Sequence, residues 1–440
     1  MQKSILVDRV NIGIFGRTNA GKSTIMNIIT NQYTSIVDST PGTTSDVVRV
    51  IFEIHDFGPV RLFDTPGLDE FSNLGIKRRL KALETFKECD LILLIINPLQ
   101  KDFTVENELL ILSKQYQKQL IIVFNWFQDI FPQKDEFEKI VNQSLNMLFN
   151  SQNFKHIIID ANKRDSSRII IDAIKNYYIK DEKKIEILPF VKPYSFVALN
   201  IPIDEETPER RLLRPQNVVL DYLLRRMVPF AGFRMDLEKA RSSIKEVQEE
   251  EKNNYLAFLE ELNGNKMGLQ LVITDSQAID IVDKWTPKEI PITTFSITMI
   301  NYQTYGNLNI LIDGLKAVKN LKKYDKVIIV ESCNHDRKCN DIGTQQIPKK
   351  LNSKLGFELD YFFSFGRQAL DKETLKDCKL IIHCGGCMID KQKINARILE
   401  AQENSIPITN YGLILSYIEG EHTLKRVLKP WQDYENLKNF

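Results

Sequence analysis

The chain has 440 residues, 43% apolar and 27% charged, with only 19 glycines and 16 prolines, the balance of an ordinary globular protein of about three domains rather than a disordered or fibrous chain. Lys and Arg (59) nearly cancel Asp and Glu (58) for a net charge of +1, so there is no basic field to hold a nucleic acid. The longest wholly apolar run, Leu91–Ile96, is far short of the ~20 residues a membrane helix needs.

Up to residue 178, short apolar runs alternate with amphipathic stretches, the pattern of parallel α/β architecture. Strands are expected at Val10–Phe15, Val47–Ile54, Val60–Phe63, Leu91–Ile96, Leu120–Phe124 and Ile157–Ile159. The charged run Lys180–Lys184 closes this unit as a solvated linker. Residues 185–262 form a second, small α+β unit, broken by Pro189, Pro193 and Pro202 and ending in a long helix expected over Arg234–Leu262. That helix has a narrow apolar seam (Leu237, Ile244, Val247, Leu256, Leu259), which reads equally as a solvated helix or a dimerisation face. The turn cluster Asn263–Gly268 opens a third unit, 263–440, of Rossmann-like α/β type. Its strands are expected at Leu269–Thr274, Ile292–Ile297, Val327–Val330, Tyr361–Phe365, Leu380–Ile382 and Ile406–Thr409.

The first unit carries Gly16-Arg17-Thr18-Asn19-Ala20-Gly21-Lys22-Ser23 between a strand and the amphipathic segment from Thr24, the strand–loop–helix setting of a P-loop. Backbone N–H groups from Gly16 to Thr24 would wrap the phosphates. Lys22 would neutralise β/γ oxygens and Ser23 would ligate Mg²⁺. Thr44, in Pro41–Asp46, stands where a switch threonine completes the Mg²⁺ shell. Asp64-Thr65-Pro66-Gly67 supplies Asp64 to Mg²⁺ through water and the Gly67 N–H to the γ-phosphate. These blocks in this order specify a switch GTPase using GTP/GDP and Mg²⁺. Two features depart from the pattern. Leu68 replaces the water-orienting glutamine, so hydrolysis should be slow. The base-reading block is Asn125-Trp126-Phe127-Gln128-Asp129, where Asp129 reaches guanine only with a one-residue shift. Asn162-Lys163-Arg164-Asp165 spells the expected motif but follows the last strand, where Asp160-Ala161 is assigned to the second base loop.

Cysteine is distributed unevenly: Cys89 stands alone and five cysteines lie between Cys333 and Cys387. Six in all cannot be a disulfide framework, and the chain reads as reducing and cytoplasmic. The N-terminus carries no signal-peptide pattern. Cys333-Asn334-His335 and His383-Cys384-Gly385-Gly386-Cys387 each follow a strand, and loops at the carboxyl ends of parallel strands converge on one crevice. Three readings are open. A 4Fe–4S cubane on three thiolates uses every residue present; structural zinc would show four clear ligands; a redox couple needs only Cys384 and Cys387. His335 is the better candidate for a fourth ligand. His383, adjacent to Cys384, points to the opposite face and serves behind the ligand. Cys89 and Cys378 read as small buried hydrophobes.

With these blocks together the chain resembles the FeFe-hydrogenase maturation GTPases, HydF. The resemblance runs along nearly the whole chain, through Lys192-Pro193-Tyr194, Ile201–Asp204, Arg214-Pro215-Gln216, Thr274–Gln277, Thr294–Ile297, Asp341-Ile342-Gly343, His383–Met388 and Pro407–Gly412. It implies a GTPase domain (1–178), a dimerisation domain (185–262) and a cluster domain (263–440) binding 4Fe–4S through Cys333, Cys384 and Cys387. It further implies a homodimer that receives a two-iron H-cluster precursor built with two radical-SAM maturases and delivers it to apo FeFe-hydrogenase. Asn19 matches the asparagine that binds K⁺ in related K⁺-stimulated GTPases. Asn301–Leu308 departs from the family's more usual Arg-Tyr-Lys-Gly-Asp-Leu, at a place expected to affect the cluster surroundings.

Overall fold

The computed structural model describes residues 9–31, 47–69, 73–126, 134–148, 154–179, 186–202, 212–332, 341–366, 370, 372–386 and 389–432. It divides into two compact units, Met1–Glu182 and Lys183–Phe440.

Among the described residues the first unit is built on six strands: β1 (Val10–Gly16), β2 (Val48–Ile54), β3 (Gly58–Asp64), β4 (Leu91–Ile96), β5 (Gln119–Asn125) and β6 (Lys155–Ile159). Their order is β2-β3-β1-β4-β5-β6; only β2 runs antiparallel to its neighbour. β4, Leu-Ile-Leu-Leu-Ile-Ile, is buried at every position, as a central parallel strand covered on both faces must be. The helix Ser166–Tyr177 closes one face with Ile170, Ala173 and Ile174.

Among the described residues the second unit holds eight strands in two sheets. β7 (Phe196–Asn200), β8 (Phe230–Phe233), β9 (Leu269–Thr274) and β10 (Ile292–Thr294) lie in the order β10-β9-β7-β8. β11 (Lys326–Glu331), β12 (Asp360–Phe365), β13 (Cys378–His383) and β14 (Ile408–Asn410) lie in the order β12-β11-β13-β14. Every pairing in both sheets is parallel. With the strands of each sheet counted in chain order, the two orders are the same winding, and the switch of direction falls between the first and third strand. One continuous apolar core from Leu188 to Trp431 joins them.

Three expectations are corrected here. The boundary expected at 262/263 is not where the sheets divide. β9 and β10, placed in the third unit by sequence, hydrogen-bond into the sheet of β7. Of the polar Asn263–Gly268 run, Asn263 and Gly264 end the helix Lys245–Gly264 and residues 265–268 return the chain to β9, where the Gly268 carbonyl accepts from the Phe196 N–H. The strand expected at Ile292–Ile297 stops at Thr294, whose hydroxyl accepts from the Ile297 N–H and caps the helix Phe295–Gln303. The single helix expected over Arg234–Leu262 is two, Leu237–Ala240 and Lys245–Gly264; Asp236 caps the first. The buried seam of the second is Glu251, Tyr255, Leu259 and Leu262, and Ile244 is exposed.

Candidate functional site

In the first unit, β1 runs into the loop Gly16–Gly21 and then the helix Lys22–Thr30. Asn19 and Gly21 adopt left-handed conformations, which turn successive N–H groups toward one centre. Gly21 is further required because a Cβ there would lie 2.5 Å from Asn125 Nδ2. Asn125, buried at the end of β5, donates from Nδ2 to the Ala20 carbonyl (3.1 Å) and accepts at Oδ1 from the Ala161 N–H (3.0 Å). It thus ties the P-loop to the loop after β6. Asn162–Asp165 form the turn leading to the helix Ser166–Tyr177.

Ser23 Oγ donates to Asp64 Oδ2 at 2.7 Å, bringing together the two residues expected at Mg²⁺. Lys22 Nζ donates to the Arg17 carbonyl at 2.6 Å. Gly67 sits against the P-loop: a Cβ would overlap Thr18 Oγ1 and lie 2.7 Å from Thr18 N. Leu68 is 2% exposed within a core cluster. Asn19 is exposed on the loop. Thr44 and Asp129 lie outside the described residues.

Sequence reasoning missed one contact. Asp69 Oδ1 accepts from both the Thr18 N–H (2.7 Å) and the Thr18 hydroxyl (2.8 Å), fastening the strand-3 loop to the P-loop. Neither residue stands at a fixed position of its motif, so only the folded chain reveals the pair. Arg17 likewise anchors the P-loop through Glu106 (3.0 Å), which is fully buried, and Asp102 (2.8 Å).

In the second unit, β11 and β13 are neighbours, with Val330 opposite His383. Their carboxyl ends flank the switch point of the sheet, the place where ligands bind in open α/β folds. The Cys384 N–H donates to the Val330 carbonyl at 2.9 Å. Cys384 Sγ accepts from the Ser332 N–H (3.2 Å) and the Gly386 N–H (3.4 Å), and its thiol donates to Ser332 Oγ (3.3 Å). Ser332 and Gly386 are the covalent neighbours of Cys333 and Cys387, which lie outside the described residues together with His335. Backbone N–H donors aimed at a sulfur suit a thiolate that carries charge to iron. Among the described residues no group of three or more His, Cys, Asp or Glu is assembled.

His383 is 1% exposed, with both ring nitrogens engaged: Nδ1 on the Cys384 carbonyl (2.7 Å) and Nε2 on Arg397 Nη1 (3.1 Å). Because Arg397 is always a donor, the proton is assigned to Nδ1. Burial, and then the Arg397 charge, push the imidazole pKa down to about 3; it is neutral and holds the Cys384 carbonyl. Cys89 and Cys378 are buried, and burial pushes the Cys378 thiol pKa up.

A model of the 50S ribosome-binding GTPases matches residues 11–126. The hydrogen maturase F dimerization domain matches 187–304 and the hydrogen maturase F tetramerization domain 309–430, together more than half of the chain. The chain belongs to the hydrogen maturase F (HydF) family. Its HydF domains meet at 304/309, between the two sheets, and they are domains of oligomer formation. Its GTPase domain is that of a GTP- and Mg²⁺-binding hydrolase.

The curated relatives resemble this HydF chain in part. The tRNA modification GTPase MnmE of Prochlorococcus marinus (strain AS9601) is 29% identical over 192 residues, 42% of this chain and 38% of that protein. GTPase Der of Persephonella marina is 27% identical over 187 residues, 40% of each. The chain thus spans about two fifths of their length. Among solved structures, a single-residue variant of Aquifex aeolicus Era bound to GDP·AlF4⁻ matches with a TM-score of 0.35 and 22% identity, over 40% of this chain and 59% of that one.

Proposed function

We propose that this HydF-family chain is a GTP-hydrolysing scaffold that holds a 4Fe–4S cluster on Cys333, Cys384 and Cys387 and carries a two-iron precursor to apo FeFe-hydrogenase. The observation that carries the reading is the meeting of Ser332 and Gly386 on the Cys384 sulfur. That meeting draws loops 52 residues apart in sequence to one sulfur, with a cysteine next in line on each.

When bound, such a cluster supplies an iron site open to a bridging ligand. The protein's part is to hold the thiolates and exclude water. Cys384 is 7% exposed, and its carbonyl is fixed by neutral His383. His335 is proposed as the further ligand and His383 as the group behind Cys384. In the GTPase domain, Gly16, Asn19, Ala20, Gly21 and Thr24 would line the phosphates, and Lys22 would exchange the Arg17 carbonyl for the β/γ oxygens. Ser23, Thr44 and Asp64 would hold Mg²⁺, the Gly67 N–H would meet the γ-phosphate, and Asn125, Asp129 and Ala161 would face the base. With Leu68 in the core, hydrolysis of GTP and water to GDP and phosphate is slow, and K⁺ beside Asn19 would offset part of the missing stabilisation. Two radical-SAM maturases and the apo-hydrogenase are the proposed partners of a cytoplasmic oligomer.

Anaerobic reconstitution followed by EPR of the reduced protein tests this. A cubane signal is expected in the wild type, with loss of it in Cys384→Ala at unchanged GTP hydrolysis. One equivalent of zinc without iron, or a full cubane retained in Cys384→Ala, would sink it. Lys22→Ala should show the converse, abolishing hydrolysis while keeping the cluster.

A further inference from the structure

The loop that carries Cys384 and Cys387 is held from outside its own sheet. Gln303, the last residue of the helix Phe295–Gln303 and part of the middle domain, is 0% exposed. Its Nε2 donates to the carbonyls of Gly386 (3.2 Å) and Ile389 (3.5 Å), so one amide bridges both sides of the Cys387–Met388 step. Arg214, also of the middle domain, donates to the same Ile389 carbonyl at 3.4 Å. The Gln303 main chain is fixed in turn, because its carbonyl accepts from Asn395 Nδ2 at 2.9 Å. Nearby, Lys391 Nζ lies 3.6 Å from the centroid of the Tyr302 ring, and the Tyr305 hydroxyl accepts from Gln392 Nε2 at 2.7 Å. The segment from Tyr302 to Tyr305 is therefore packed onto the cysteine loop and the start of the helix behind it.

We infer that Gln303 is a positioning residue for the iron–sulfur site, setting the geometry of the Cys384–Cys387 loop from the middle domain; the inference rests on the cluster reading above. Three observations favour this over simple packing. A buried glutamine sheds water from both polar atoms, a cost that an apolar side chain of similar volume avoids. The return is two bonds, one to the Gly386 carbonyl, which also accepts from the Ile389 N–H (3.3 Å), and one to the Ile389 carbonyl. Gln303 Oε1 is left buried without a partner, so the amide is not placed there to satisfy itself. The donors act on backbone rather than on a side chain, which holds the main chain at Gly386 and at Ile389.

The test uses the full-length protein with Gln303→Met, which keeps the volume and removes both bonds, and Gln303→Glu, which keeps the shape and turns acceptors toward the two carbonyls. Iron release from the reconstituted protein to an excess of bipyridyl chelator is expected to be about tenfold faster in both variants, the effect of losing two ordinary hydrogen bonds. The EPR g-values of the reduced cluster should shift, and GTP hydrolysis should be unchanged. In the apoprotein, Cys384 should be alkylated by iodoacetamide about tenfold faster, read site by site by mass spectrometry. Release, g-values and alkylation all matching the wild type would overturn the inference. So would a lower melting temperature with those three readouts unchanged, because Gln303 would then only pack. A wild type that binds no cubane refutes the proposed function instead, and Cys384 alkylation still decides the clamp.

Discussion

At the scale of single residues, the GTPase site makes two sharp predictions. Gly67→Ala would drive a methyl into Thr18, and the backbone nitrogen 2.7 Å away cannot swing aside as a flexible side chain would. The strand-3 loop must move off the P-loop, so GTP hydrolysis should fall by about 10²-fold or more, the usual effect of removing one positioned donor. GDP affinity, which does not need the γ-phosphate contact, should change little in equilibrium binding. Leu68→Gln tests the other departure. The side chain at 68 is buried among apolar neighbours, so a glutamine there would bury an amide at a cost of about 1–3 kcal/mol without meeting a water. Stopped-flow phosphate release should show no gain in rate, and a faster enzyme would mean the loop around residue 68 can turn outward. What the sequence exposes at this scale is whatever sits at fixed motif spacing, and of those residues the fold brings Ser23 onto Asp64 and sets Cys384 between Ser332 and Gly386. The Thr18–Asp69 and Gln303–Gly386 contacts join residues 51 and 83 apart with no shared motif, so only the fold exposes them.

At the scale of elements, strands were legible where apolar runs are continuous. β4 and β9 fall where the sequence placed them: β4 is buried at every position and β9 from Leu271 to Thr274, so a short apolar run marks each. Ile292–Ile297 misled because an apolar run says nothing about where a threonine cap will start a helix. The helix Leu308–Lys316 gives a stability test of the packing around β14. A Cβ on Gly314 would overlap the Ile408 carbonyl oxygen and lie 2.8 Å from its nitrogen, and backbone offers no rotamer for escape. Gly314→Ala should destabilise the second unit by about 3 kcal/mol, the upper end of overpacking costs, measured by urea titration of its circular dichroism. The helix Glu421–Gln432 is fastened by charge instead. Arg426 donates to Asp283 Oδ1 (2.9 Å) and to the carbonyls of Asp283, Thr286, Pro287 and Ile290, while Thr423 donates to Asp283 Oδ2 (2.7 Å). Burial alone would raise the Asp283 pKa; the Thr423 and Arg426 bonds outweigh it and hold the carboxyl below 3.8. Its contribution is therefore complete above 3.8 and disappears as the pH falls through the lowered folded value. Asp283→Asn should lose about 2–3 kcal/mol at neutral pH, and the gap to wild type should narrow in acid. A gap that stayed constant with pH would mean that the carboxylate charge contributes nothing.

At the scale of the whole molecule, the expected three domains appear as two compact units, because the middle and last domains share one core while the GTPase domain keeps its own. The sequence placed a boundary at a polar turn since composition marks where chain is exposed, and exposure is common to a domain linker and to a loop returning to its own sheet. The repeated winding of the two sheets was invisible for a related reason: topology is a pattern of hydrogen bonds, and different apolar residues fill equivalent strands equally well. Separate cores make separate melting transitions the expectation, since stability couples segments only through contacts they share. GTP with Mg²⁺ at about 100 times its Kd adds ~2.7 kcal/mol to the state that binds it. For a unit of this size that is a rise of roughly 5–10 °C, and calorimetry should place it in one transition alone. Lys22→Ala should abolish the shift, whereas Gly314→Ala and Asp283→Asn should lower only the other transition. Reconstitution with iron and sulfide should raise that second transition and leave the first in place. A nucleotide shift appearing in both transitions would show that the cores are coupled, and would supply the missing route by which the GTPase domain reaches the cysteines.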